Sequence, residues 1–327
     1  DGSYTSAPTE QAQLIHDYLK HPPEPKYTTE DRAFHKDIEE KTEQILHDLQ
    51  HEDYDQKLDE DQARLNKDIE IYELVVAINR LDSDKATGPD RVHTTFIKEG
   101  KNILKHYLKK LFNNLLKYGI YPQIWNEANV LPIGKPGRDP ALAKNYRPIS
   151  LSSVLGKLLE KVLSHRIQVY AVKKRLFGLQ CGFQINRNTT DILNTFIQQI
   201  YSNLDNGNDT NIIYTDFSKA YDSTWILGLI YKLHANGIRN NILKFLYSFL
   251  STRYTKVTLK DTASQNYKQT IGLPQGSSLS PILYILYIND MEFPAKLNKF
   301  VSLGSFADDC AIWSHGSAAD NIQEKLQ

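Results

Sequence analysis

Asp216 closes an apolar run at residues 211–215, and Asp308 and Asp309 stand side by side in the string Phe306-Ala307-Asp308-Asp309. Adjacent carboxylates repel each other and cost stability unless a cation neutralises them. An acidic pair between two apolar, β-like segments therefore invites a metal. Nucleotidyl transfer would use such a cluster: two divalent ions about 4 Å apart, one activating an attacking hydroxyl and one stabilising the departing pyrophosphate. Magnesium suits that task because it takes oxygen ligands and shares its shell with phosphates and water. Each signal is weak alone. An aromatic-x-Asp-Asp string arises by chance in roughly one chain in ten, and a strand ending in Asp is usually a turn or a helix cap.

Between the two acidic sites lies Gly272-Leu273-Pro274-Gln275-Gly276-Ser277-Ser278-Leu279-Ser280-Pro281. Its glycines permit close backbone approach to a ligand, and Gln275 can hydrogen-bond through its amide. Ser280 is placed to cap a helix whose first residue is Pro281. A plain loop-to-helix transition explains the cap but not the whole string.

The elements that must carry these residues follow from periodicity. Helices are expected at 69–81, 104–117 (with Gly119 ending it), 152–172, 190–205, 224–235, 240–251 and 281–289. Strands are expected at 129–133 and 211–215, with a hairpin of 255–259 and 267–271 around residues 261–265. Residues 300–302 and 310–313 should flank the turn holding Asp308 and Asp309. Residues 134–145 read as a loop rich in Gly, Pro and basic side chains.

Upstream, residues 1–68 form an acidic linker or helical extension, with Pro22, Pro23 and Pro25 in an extended stretch. Residues 28–50 show a sparse apolar face, which describes a marginal helix needing a partner, or partial disorder. A helical region at 69–205 and a carboxylate-bearing region at 206–327 complete the division. Of the 39 acidic residues 19 lie in positions 1–70, against only 8 of the 39 basic ones, so the zero net charge hides a basic remainder. A basic globular part suits phosphate binding, although ordinary solvated surface charge explains it as well.

Cys181 and Cys310 are the only cysteines, which gives neither a disulfide framework nor zinc-ligand spacing; a reducing compartment fits best. His16, His21, His35, His47 and His51 do not pair as a metal motif. No apolar run reaches membrane-spanning length and no signal peptide opens the chain, so a soluble intracellular protein with no membrane partner is expected. The first residue is Asp1 and the one methionine is Met291, so the chain is expected to be a fragment of a longer reading frame.

The order of Thr215-Asp216…Ala220-Tyr221-Asp222, Leu273-Pro274-Gln275-Gly276-Ser277 and Phe306-Ala307-Asp308-Asp309 resembles the three palm motifs of reverse transcriptases. Upstream strings narrow the resemblance to the LINE-type (non-LTR), jockey-like retrotransposons. They are Lys85-Ala86-Thr87-Gly88-Pro89-Asp90, Pro132-Ile133-Gly134-Lys135-Pro136-Gly137-Arg138-Asp139, Asn145-Tyr146-Arg147-Pro148-Ile149-Ser150-Leu151 and Gln180-Cys181-Gly182-Phe183. The match runs from about residue 69 to 313.

The resemblance implies an α+β fold, a right-hand polymerase with helical fingers and a small antiparallel palm sheet, the thumb absent. It implies an RNA-directed DNA polymerase adding dNTPs to a DNA 3′-hydroxyl, with RNA template, DNA primer and other domains of the same polyprotein as partners. The product would be nuclear after cytoplasmic synthesis. Asp216, Asp308 and Asp309 would be catalytic and bind two Mg²⁺ ions (Mn²⁺ a substitute), with the Phe217 carbonyl a further ligand. Tyr221 would lie under the deoxyribose and reject a 2′-hydroxyl, and Gln275 would line the incoming nucleotide. Lys135 and Arg147 would touch triphosphate or template. Asp222 would brace the turn, its carboxylate capping the following helix, rather than bind metal.

Departures from the pattern stand at Gln184, where the family commonly has Arg, at Arg187-Asn188-Thr189, at Arg91-Val92 and at Gly134. A related polymerase copying RNA into RNA, or a maturase, is the nearest alternative. An inactive or domesticated remnant that only binds nucleic acid is the other class. Without a thumb, the isolated chain is expected to be weak or inactive.

Overall fold

The computed structural model describes residues 7–20, 27–51, 57–83, 85–217, 219–291 and 301–316. Along the chain come α1 (Pro8–Lys20), α2 (Thr29–Asp48), α3 (Glu60–Asn66), α4 (Ile71–Asn79), α5 (Thr94–Glu99) and α6 (Lys101–Tyr118). A hairpin of β1 (Glu127–Gly134) and β2 (Tyr146–Leu151) follows, then α7 (Val154–Lys173), α8 (Thr189–Asp205) and β3 (Asp209–Asp216). Next are α9 (Ile226–Ala235), α10 (Asn240–Ser251), β4 (Arg253–Leu259), β5 (Thr262–Ala263) and β6 (Tyr267–Gln269). The last are α11 (Ser280–Ile288), β7 (Val301–Phe306) and β8 (Asp309–Gly316). This mixture of helices and small sheets divides into two compact units, Asp1–Arg166 with Tyr221–Ser280, and Ile167–Ala220 with Pro281–Gln327.

In the first unit, β1 pairs antiparallel with β2 and parallel with β4, and β4 pairs antiparallel with β6 and β5. The hairpin expected of 255–259 and 267–271 forms only in part: Arg253–Thr255 pair with Tyr267–Gln269, while Thr258 and Leu259 pair with β5 inside the expected turn. β2 was not foreseen: Pro132 and Pro148 oppose each other in the β1–β2 register, and neither can donate to the ladder.

The apolar stripes of α9 and α10 face the core, with Leu229, Leu233, Leu243, Phe245 and Leu246 fully buried. Each such side chain contributes about 1.5–3 kcal/mol relative to exposure. Tyr121 packs edge-on against Phe245, Phe249 and Trp125 at 5.0–5.8 Å between ring centres, so Tyr121 and Trp125 are core residues.

α6 buries Leu108, Phe112 and Leu116, and Leu111 is exposed. Gly119 ends α6 in the left-handed conformation at φ 63°, where its missing side chain also admits Lys244.

The acidic N-terminal region finds partners. Ala12 and Ile15 of α1 pack with Val130 and Val257 on the sheet. The segment around residues 28–50, expected to need a docking partner, is α2, with a Thr28–Asp31 capping box. α2 packs on α9, where the Thr42 hydroxyl lies 3.3 Å from the Leu227 carbonyl and His35 stacks on Trp225 at 4.1 Å. Pro22, Pro23 and Pro25 lie outside the described residues.

In the second unit, β3, β8 and β7 form a three-stranded antiparallel sheet in that order. α8 packs on it: Phe196 meets Trp313 edge-on at 5.1 Å, and the absent side chain of Gly304 leaves room for Trp313 and Ile192. The strand expected to run into Asp216 spans Asp209–Asp216, and the acidic pair lies at a hairpin turn as expected; residue 300 is outside the described residues. Among the described residues, no helix is long and apolar enough to cross a membrane.

Candidate active site

The second unit brings the three aspartates to one end of its sheet. Asp216 is the last residue of β3 and stands directly opposite Asp309, the first residue of β8. Phe306 pairs with Asp309 from the other side, so Phe306, Asp309 and Asp216 share one row. Ala307 and Asp308 make the turn between β7 and β8.

Asp216 and Asp309 are exposed and Asp308 partly so. Like charges directly opposite on an antiparallel pair destabilise it, so this register is one that a cation would relieve. Hard carboxylate oxygens suit a magnesium-like ion. The register supplies a facing pair with Asp308 beside it; among the described residues no three acidic, His or Cys side chains already converge as a closed ligand set. Phe217 follows Asp216 and is half-buried.

Behind the acidic row lies Cys310, opposite Thr215 and Ser305. Burial pushes its thiol up, and the charges of Asp309 and Asp308 push it the same way.

The first unit holds the other four candidates. Residues 221–224 zip onto the Gly272–Gln275 loop: Leu273 donates to the Tyr221 carbonyl at 2.7 Å and Gly272 to the Thr224 carbonyl at 2.8 Å. The Gln275 amide donates to Asp222 at 2.9 Å. Gly272, at φ 78°, tolerates no side chain, since a Cβ would lie 2.6 Å from the Asp222 carbonyl oxygen. On the other side, Ser150 of β2 donates its N–H to the Gln275 carbonyl at 2.9 Å. Gln275 is thus bound at both main chain and side chain.

Asp222 braces this loop, but it is not the cap of α9, whose capping position is Trp225 without a side-chain cap bond. The cap expected of Ser280 also moves. Ser277 Oγ accepts from the N–H groups of Leu279 and Ser280, while the Ser280 hydroxyl donates to the Pro274 carbonyl at 2.8 Å.

Lys135 and Arg147 belong to the β1–β2 hairpin. Arg147 is exposed and pairs with Ile133, two residues before Lys135. The Lys135 ammonium donates to the Lys144 carbonyl at 3.1 Å.

Two supporting residues escaped the sequence reading. Glu160, 1 % exposed within the apolar stripe of α7, accepts from Ser277 Oγ at 2.6 Å, the Ser278 N–H at 2.9 Å and the Tyr121 hydroxyl at 2.9 Å. Burial pushes the Tyr121 hydroxyl far up, and the Glu160 charge adds to it. Arg253 is 3 % exposed and donates to the carbonyls of Leu250, Ile271 and Gly272 and to Gln269. Burial brings its guanidinium down to about 10, so it remains a cation at neutral pH. The one acidic residue in the apolar first half of α7 was the available signal for Glu160.

Residues 133–327 match the family described as reverse transcriptase (RNA-dependent DNA polymerase). The chain is 29 % identical over 268 residues to the probable RNA-directed DNA polymerase from transposon BS of Drosophila melanogaster, covering 80 % of this chain and 29 % of that protein. It is 28 % identical over 267 residues to the RNA-directed DNA polymerase from mobile element jockey of Drosophila funebris, covering 79 % and 29 %. A third relative, the probable RNA-directed DNA polymerase from transposon X-element of D. melanogaster, is 28 % identical over 284 residues, covering 82 % and 31 %. The chain thus spans about three-tenths of the length of the curated relatives it matches.

Proposed function

We propose, from the premise that the chain belongs to the reverse transcriptase (RNA-dependent DNA polymerase) family, that it carries the nucleotide-adding site of a non-LTR retrotransposon polymerase. In that reaction a DNA 3′-hydroxyl attacks the α-phosphorus of a dNTP selected by an RNA template, and pyrophosphate leaves. The observation that carries the reading is the register of Asp216 opposite Asp309, with Asp308 in the adjoining turn.

Asp216, Asp308 and Asp309 would hold two magnesium ions, with the Phe217 carbonyl a further ligand. The ions, or manganese in their place, would offset the negative charge developing on the attacking and leaving oxygens. Tyr221 would sit under the deoxyribose and exclude a 2′-hydroxyl. Its backbone is fixed by Leu273, which gives the ring a firm base. Gln275, tied to Asp222, would line the incoming nucleotide. Lys135 offers a point charge and Arg147 a bidentate fork for phosphate oxygens.

Most of the rate would come from positioning and charge stabilisation. Basic residues beyond position 70 would hold template and primer in a salt-dependent way. Helical fingers would correspond to residues 69–205 and a palm to residues 206–327, in a protein with further domains that works in the nucleus.

The test is dTMP addition to oligo(dT) annealed on poly(rA), with magnesium present and then chelated. Addition that needs both the RNA strand and the metal supports the proposal. No addition, with RNA still tightly bound, would place the chain in the binding-only class.

A further inference from the structure

Ala307, between the second sheet's outer strand and the acidic pair, holds a left-handed conformation at φ 57°, which is unfavourable for a residue with a Cβ. Something must hold it there, and one side chain grips it twice. Gln180, 6 % exposed, accepts the Ala307 N–H at 2.9 Å and donates to the Ala307 carbonyl at 3.1 Å. The N–H lies in the peptide before Cα307 and the carbonyl in the peptide after it. A clasp on both peptides fixes φ and ψ at Ala307 together, and with them the direction in which Asp308 and Asp309 leave the turn.

The amide orientation is unambiguous, because Gly182 also donates its N–H to the same Gln180 oxygen at 2.8 Å. Gln180 is itself anchored to the strand before the turn. Cys181 donates to the Ser305 carbonyl at 2.9 Å, Ser305 donates to the Leu179 carbonyl at 3.1 Å, and Gln180 forms a parallel bridge with Ser305. Gly182 completes the fit, since a Cβ there would lie 2.2 Å from the Ala307 nitrogen. Gln184, where the family commonly has Arg, donates its amide back to the Gln180 carbonyl.

We infer that Gln180 is a positioning residue, which sets the placement of Asp308 and Asp309 by clasping the Ala307 peptides. The inference rests on the polymerase reading for its catalytic consequence, though not for the clasp. Only glutamine fits the task. Glutamate can accept from the two N–H groups but cannot donate to the Ala307 carbonyl, and asparagine is one methylene too short.

The experiment compares the 327-residue chain with Q180A, Q180E and Q180A/A307G in three readouts: exchange of the Ala307 amide proton, Mn²⁺ affinity by electron paramagnetic resonance, and kcat and KM for dNTP addition. In Q180A, Ala307 exchange should rise at least tenfold, Mn²⁺ binding should weaken several-fold, and kcat should fall while KM for dNTP holds. Q180E should lie between. A307G should restore part of the loss, because glycine occupies the left-handed region freely.

Should Q180A fail to fold, Q180E, which keeps size and shape, decides by the same readouts. Unchanged exchange at Ala307, or unchanged Mn²⁺ affinity in a folded variant, would overturn the inference. A parent chain that adds no nucleotide would sink the polymerase reading, and the exchange and Mn²⁺ results would still decide the clasp.

Discussion

The side-chain amide of Gln275 donates to the Asp222 carboxylate at 2.9 Å, joining two strings that lie some fifty positions apart. That bond holds the Gln275 loop, so bracing rather than metal binding is the role we propose for Asp222. D222N keeps an accepting oxygen and should retain near-parent dNTP addition. D222A should free Gln275 and raise KM for dNTP roughly fivefold, the worth of about 1 kcal/mol for one hydrogen bond. Steady-state kinetics of both variants check this; a dead D222N would move Asp222 into the metal set.

Tyr221 offers a test of sugar selection. Because Leu273 grips its carbonyl rather than its ring, Y221A should leave the backbone in place. The ratio of rNTP to dNTP addition should rise by roughly tenfold or more. Unchanged rNTP use in a folded Y221A would refute the steric assignment.

The buried carboxylate of Glu160 serves three donors, Tyr121, Ser277 and the Ser278 N–H. Alanine at this position would strand all three, so urea denaturation should show a loss of about 3 kcal/mol. The double variant E160A/Y121F should lose less than the two single losses added together, because the residues share one network.

Acid stability turns on Glu73, which accepts two bonds from Arg166, each at 2.7 Å. Burial pushes its carboxyl up, but the Arg166 bonds, the Glu70 N–H and the Arg166 charge outweigh that and hold it below its ordinary 4.5. The folded pKa is depressed, so the pair stabilises the fold above pH 4.5 and the contribution fades as pH falls through the folded value. E73Q should cost about 2 kcal/mol at neutral pH. It should also flatten the fall in stability measured by denaturant titration below pH 4.5.

How far the sequence led depends on the range of the interaction. Leu74 and Ile78, or Leu108 and Phe112, repeat at helical spacing and are buried as that spacing requires. Gly119 and the strand leading into Asp216 were legible for the same local reason. The pairing of β1 with β4 joins residues more than a hundred positions apart, and nothing local encodes it. β2 was hidden because Pro148 reads as a break until Pro132 is seen opposite it.

The buried polar residues were the hardest. Glu160, Arg253 and Gln180 take their meaning from carbonyl and N–H groups brought close only by the fold. Asp222 was expected to cap the helix after it, yet Trp225 holds that position and the Asp222 carboxylate accepts from Gln275.

Asp216, Asp308 and Asp309 are proposed to form the site of RNA-templated DNA synthesis. The most direct measurement is single-nucleotide addition to a DNA primer on an RNA template, comparing the parent chain with D308N/D309N at equal protein and magnesium. Slow, magnesium-dependent addition by the parent is expected, falling by about 10³-fold or to background in the variant, with RNA affinity and thermal unfolding preserved. Equal addition by both proteins would contradict it, because the carboxylates would then have no part in the chemistry.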